Sequence, residues 1–246
     1  MKRLRSVCIL LVLVLLGIAL NWKYVQSGKL IEAIQDGDRT KVGQLLDAGV
    51  NPNIPSWRHR GAWRYFNTLL EYAPEMPLSE ACGTGDLELV QLLLDYGADP
   101  LLTQEEGLDW SALETTILHS HQEQSLDILK LLLEYGADPA QVSSSTDPAI
   151  LAADHYTVSW GEETQERIVE MVRLLMEGRD MPPKALDKML MHSAISGNLK
   201  LVEYMLSLGA DPMFEGFRDG MTAYDYAVSR GHEDVALVLK AAMDAS

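Results

Sequence analysis

The chain has 246 residues, 47% of them hydrophobic and 23% charged, which is enough for one or two packed domains and too apolar for a disordered tail. Lys+Arg 20 against Asp+Glu 36 gives a formal net charge of −16, which opposes a phosphate backbone and argues against a nucleic-acid partner. Of the two cysteines, Cys8 lies in an apolar N-terminal run, so the folded body holds one thiol, Cys82, and no internal disulfide.

The first 26 residues form a separate segment. Lys2, Arg3 and Arg5 precede an apolar run, residues 7–22, with no charge in it. A basic start followed by such a run fits a signal peptide, and Gly17-x-Ala19 offers a small-residue cleavage site. The run also reaches the lower length limit for spanning a bilayer, and Trp22 and Tyr24 stand where interfacial aromatics anchor a helix. Residues 1–26 are therefore read as a single transmembrane anchor or a cleaved signal peptide. Either places the rest of the chain outside the cytoplasm, in the periplasm if the source is bacterial. Without these residues the body carries 16 Lys+Arg against 36 Asp+Glu, a difference of −20.

From residue 27 onward a block of thirteen residues recurs: Gly37 to Gly49, Gly85 to Gly97, Gln124 to Gly136, Glu166 to Gly178, Gly197 to Gly209 and Gly231 to Met243. Apolar residues within it, such as Leu89, Val90, Leu93 and Leu94, follow helical spacing and predict an amphipathic helix. Three blocks close on Gly-Ala-Asp-Pro, at Gly97, Gly136 and Gly209, and the first closes on Gly49-Val50-Asn51-Pro52. Glycine caps the helix and proline stops it from resuming. Upstream of the blocks lie second short helical segments, clearest in Met76-Pro77-Leu78-Ser79-Glu80-Ala81. A small residue stands four positions before the block at Ala33, Ala81, Ser193 and Ala227.

With these two motifs at a fixed offset the chain resembles the ankyrin repeat family, whose unit is a β-turn plus two antiparallel helices with a T-P-L-H-x-A signature. The resemblance covers nearly all of residues 27–246 and implies an all-α solenoid of about six helix-turn-helix units with finger loops, following the N-terminal hydrophobic helix. The units run over about 27–55, 74–104, 109–142, 146–183, 186–216 and 220–246. Block starts lie 48, 39, 42, 31 and 34 residues apart, so the first three intervals carry insertions. Repeat one has a long finger loop, and repeats three and four are lengthened between their helices. Repeat four is the most degraded, with Gly178-Arg179-Asp180 at its closure, which predicts weaker stacking there. Asp36, Asp38, Arg39 and Lys41 are candidates for a polar cap at the start, and Ala236 and Lys240 for one at the end.

No metalloprotease helix, phosphate-binding glycine loop or nucleophile elbow is present, so no catalytic residue or cofactor is assigned. His119 and His121 are two apart, a spacing that turns them away from each other on a helix, and they are read as a solvated helix end with no metal. Cys82 is expected to be a packed, inert thiol, and His192 and His232 to make capping or inter-helix hydrogen bonds. The inserted loop of repeat one carries Trp57, Arg58, Arg60, Trp63 and Arg64, and no acidic residue occurs between Asp47 and Glu71. This basic, aromatic island, with Trp110 and Trp160, forms the set of candidate partner-binding residues, since Trp and Arg dominate interface energetics. Its alternatives are packing onto the scaffold and contact with anionic lipid.

In ankyrin proteins the fingers and inner helices line a concave protein-binding surface. The resemblance therefore implies a non-enzymatic module for a protein partner, with the N-terminal helix at the membrane. A narrower version is an immunity or assembly factor whose acidic surface masks a basic partner. The alternatives are a metal-dependent hydrolase built on inserted segments such as Asp154-His155 and Glu162-Glu163, and a structural membrane tether.

Overall fold

A computed structural model describes residues 22, 25–56, 76–102, 110–141, 146–155, 161–216 and 220–245. The apolar run up to residue 21, the island from Trp57 to Arg64, and Trp160 lie outside the described residues. No helix among the described residues is long and apolar enough to cross a membrane. Trp22, the last residue of the run, is exposed, with the Lys29 ammonium 5.8 Å from its ring centroid.

The thirteen-residue blocks fold as helices with ends written into their sequence. Asp38, Asp86 and Asn198 are N-caps of α2 (Arg39–Asp47), α4 (Leu87–Asp95) and α10 (Leu199–Ser207), each side chain accepting the backbone N–H three residues on. At the other end, in α4, the Gly97 N–H donates to the Leu94 carbonyl and the Ala98 N–H to the Leu93 carbonyl, a Schellman closure. The same pair of bonds closes α2, α6 (Ser125–Glu134) and α10. Next in the closure, Asp99, Asp138 and Asp211 each accept the backbone N–H two residues on, at 2.8–2.9 Å. Asn51 does the same for Asn53. The Gly-Ala-Asp-Pro tetrad is thus a helix stop, a buried alanine and an Asx turn in sequence.

Before each block stands the first helix of its unit: α1 (25–35), α3 (Pro77–Thr84), α5 (Ala112–Leu118), α7 (Pro148–Asp154), α9 (Pro183–Ser196) and α11 (Ala223–Arg230). α5 and α11 open with full capping boxes, Ser111 with Glu114 and Thr222 with Asp225. The small residues four before the block, Ala33, Ala81, Ser193 and Ala227, are all 0% exposed. No larger side chain is accommodated there without displacing the neighbouring helix.

Successive first helices pack side by side, α3 on α5, α5 on α7, α7 on α9 and α9 on α11. The second helices α4, α6, α8 (Glu162–Met176), α10 and α12 (Glu233–Ala245) do the same in a parallel layer. The core runs continuously between the layers, from Leu30 and Ile34 through Leu89, Ile117, Leu132, Met171 and Leu190 to Leu239. Each unit contributes one slice of it, and no unit buries its own apolar face alone.

In repeat four both the insertion and the altered closure take a definite form. In repeat four, α8 begins at Glu162, a turn before its block, so part of the extra sequence is helix and not loop. At that repeat's degraded closure, the Arg179 guanidinium pairs with Asp147 and donates to the Leu175 carbonyl at 2.9 Å. Asp147 is also the N-cap of α7, so a charged staple stands where three other repeats have a buried alanine. At the start of the array Arg39 pairs with Asp86 and Glu88 of the next repeat, and Asp38 caps α2, so these two residues act in stacking and capping. At the far end Ala236 is buried and Lys240 exposed, but Leu237 is 70% exposed, so the last helix is not polar all along its open side.

Candidate partner-binding groove

On the layer of first helices, α1, α3 and α5 leave between them a groove of about 370 Å³. Its floor is made by small or short side chains. Ser79, Gly83 and Thr84 come from α3 and Thr115 from α5, and a β-carbon on Gly83 would already touch Thr115 Cγ2 at 3.6 Å and His119 Cε1 at 3.7 Å. Gln35 from α1 reaches across the repeat boundary and donates to Glu80 Oε1 at 2.7 Å, holding that carboxylate at the groove wall. Met76, the N-cap of α3, and Trp110, just before the N-cap of α5, complete its lining.

Trp110 is the sequence-nominated residue that the structure describes. Its side chain is 46% exposed, large for an indole, while its backbone is held on the C-terminal side. Its carbonyl accepts from Ser79 Oγ at 3.3 Å, and the next residue, Ser111, is fixed by the capping box of α5. An exposed aromatic on a fixed backbone is a contact surface with little entropy left to lose.

The histidines divide into two groups. His119 and His121 do not point apart, because α5 ends at Leu118 and the helical spacing assumed for them does not extend to residue 121. Their ring centroids are 6.0 Å apart, and His119, half-buried with Nδ1 at 2.9 Å from the Thr115 carbonyl, lines the groove rather than a solvated end. His121 is exposed, as expected of a solvated end, and partial desolvation, with His119, His155 and Arg167 nearby, lowers its pKa. His192 and His232 make the inter-helix bonds expected of them, His192 Nδ1 to Asp154 Oδ1 at 2.7 Å and His232 Nε2 to the Ile195 carbonyl at 3.1 Å. Cys82 is 1% exposed and burial pushes its thiol up to about 12, so it is a packing residue.

The carboxylates proposed for hydrolytic chemistry are engaged elsewhere. Asp154 holds His192, Glu162 pairs with Lys200 at 3.1 Å, and Glu163 pairs with Arg167 at 3.5 Å. Among the described residues no group of three His, Cys, Asp or Glu is arranged to hold a metal ion. Sequence reasoning missed Gln35, Glu80 and Thr115 as site residues. Their only signal was negative, polar or short side chains on helices that also carry buried apolar residues.

The family model for ankyrin repeats (3 copies) matches residues 30–143 and 163–245, most of the chain. The chain belongs to the ankyrin repeat family. Among curated proteins, none matches it. The ankyrin array identifies the chain as a protein–protein interaction module, and the groove between α1, α3 and α5 lies on the inner-helix layer of that array.

Proposed function

We propose that this ankyrin module works outside the cytoplasm, held at or released from a membrane by residues 1–26, and binds one protein partner through its inner-helix groove and finger side. The observation that carries the binding surface is Trp110, exposed on a fixed backbone in the lining of the groove. Lys2, Arg3 and Arg5 ahead of the run 7–22 support the location. Trp57, Arg58, Arg60, Trp63 and Arg64 belong to the finger of repeat one and extend the same surface in this reading.

Affinity capture from the native host through a C-terminal tag tests it. Wild type is compared with one variant carrying alanine at those five positions and another carrying Trp110→Ala. Capture of one exported protein by wild type, reduced in either variant, supports the reading; an identical set from all three removes it. A reporter fused after residue 246 that is active only outside the cytoplasm tests the location separately.

A second reading, that the module masks a basic partner, is favoured by the charge distribution. Between Arg64 and Lys130 there is no Lys or Arg and there are 13 Asp and Glu. Electrostatic complementarity of this kind sets association rate and selectivity, so charge reversal of several exposed carboxylates is expected to slow capture. Unchanged association in those variants argues for a partner chosen by shape alone.

A further inference from the structure

We infer that the groove between α1, α3 and α5 is a seat for a cationic side chain, an arginine of a basic segment on the partner. This rests on the reading of the module as a partner-binding protein and specifies what its inner groove selects. Three observations meet there. The groove is about 370 Å³, the scale of a side chain and its neighbours rather than of a folded element. One wall is the Trp110 indole, 46% exposed, and the face of an indole attracts a guanidinium.

The other wall carries Glu80, whose Oε1 accepts from Gln35 Nε2 at 2.7 Å. That bond fixes the carboxylate and uses one of its two oxygens, and the other can accept the guanidinium N–H. Among the described residues no lysine or arginine lines the groove, and the sequence has none from residue 65 to residue 129. Two described cations that bridge to these repeats are engaged away from the groove, Arg39 at Asp86 and Glu88, and Arg167 at the carbonyls of Ser120 and His121. Glu80 in the groove is thus a carboxylate with a neutral partner from its own chain, beside an aromatic face. An anionic group entering the same space is repelled by the carboxylate, and an apolar one leaves that carboxylate without a charged partner.

The probe is a capped arginine amide titrated into the full chain, followed through the Trp110 indole N–H resonance, which Trp110→Phe assigns. The neutral citrulline analogue, matched in shape, is the control for charge. Saturable movement of the Trp110 resonance is expected, with a dissociation constant on the order of 1 mM. Binding should weaken about tenfold in Glu80→Gln, which keeps the side-chain shape, and be unchanged in Glu203→Gln on the exposed side of α10. A response to citrulline equal to that to arginine overturns the inference. So does no movement at Trp110, or equal affinity in Glu80→Gln and wild type. Because this assay needs no native partner, its failure is distinct from a failure of capture. A captured partner that is retained by Glu80→Gln leaves the module reading standing and removes this groove as its arginine seat.

Discussion

At Gly136 φ is +95°, a region that costs an L-residue about 1–2 kcal/mol, and a β-carbon there meets nothing within 4 Å. Gly136→Ala is therefore expected to lose about 1 kcal/mol from backbone strain alone, read as a lower denaturation midpoint with an unchanged slope. Gly85 differs by its surroundings. Its φ is +73°, and a β-carbon would fall 2.3 Å from Gln122 Oε1. Gln122 would have to release the Gly83 carbonyl, to which it donates at 3.0 Å. Gly85→Ala should thus cost more than Gly136→Ala, and equal losses in the two variants would mean that the Gln122 contact has no weight. At Cys82 burial rather than an ion pair governs chemistry, so alkylation of its peptide, followed by mass spectrometry, is expected only when the array opens. Labelling under native conditions as fast as that of a free thiol would contradict it.

Among the elements, the tyrosines that cap second helices tie repeats together. Tyr96 donates to Asp47 in the repeat before, and Tyr135 donates to Asp95, 2.5 Å away, and accepts from Gln91. Each rung needs Tyr at one position of a block and an acid one position earlier in the preceding block. Repeat four has Glu177 at the tyrosine position, so the row of rungs stops there. The Arg179–Asp147 staple takes over in that repeat, and with it the degraded closure still ties into the array. Arg179→Ala removes charge-assisted bonds from a partly buried site and should cost about 1–2 kcal/mol. Hydrogen exchange should then quicken at the amides of α7, whose N-cap is Asp147, and stay unchanged in α2; uniform acceleration would assign Arg179 no local role.

For the whole molecule, stability is expected to fall on both sides of neutrality. The Asp154 carboxyl is held below its ordinary value by the His192 hydrogen bond, and Asp225 and Asp138 by backbone N–H groups of Thr222 and Ala140. Groups lowered on folding contribute stability above their ordinary value of 3.8, and it is lost as pH falls through the lowered values. Tyr96 and Tyr135 are raised by hydrogen bonds to Asp47 and Asp95. Their contribution is complete below 10.0 and is lost as pH rises through the raised values. Thermal melts should therefore show a plateau from about pH 5 to about pH 9, with the alkaline decline shallower in the Tyr96→Phe, Tyr135→Phe double variant. An alkaline slope identical to wild type would remove the rungs from the account.

Much of the architecture was legible because helix stops are local. Gly-Ala-Asp-Pro specifies a cap, a small buried residue and an Asx turn within four positions, and its recurrence with Ala33, Ala81, Ser193 and Ala227 set the repeat frame. Cys82, His192 and His232 were placed correctly because a repeat position carries its burial with it. Trp110 was nominated by type alone, and its companions were not found. Gln35, Glu80 and Thr115 are separated by tens of residues, are chemically ordinary, and meet only when three first helices stack. His119 was misplaced because it is the C-cap of α5 and lines the groove formed with the preceding helices, a contact that no local signal carries. The sequence by itself determined the repeating unit, its helix ends and the acidic balance, all of which depend on neighbours within one block. Only the tertiary structure decided which side chains share the groove and which carboxylates are engaged in stacking, since those partners lie one repeat away and their pairing follows from the packing angle, which no single block encodes.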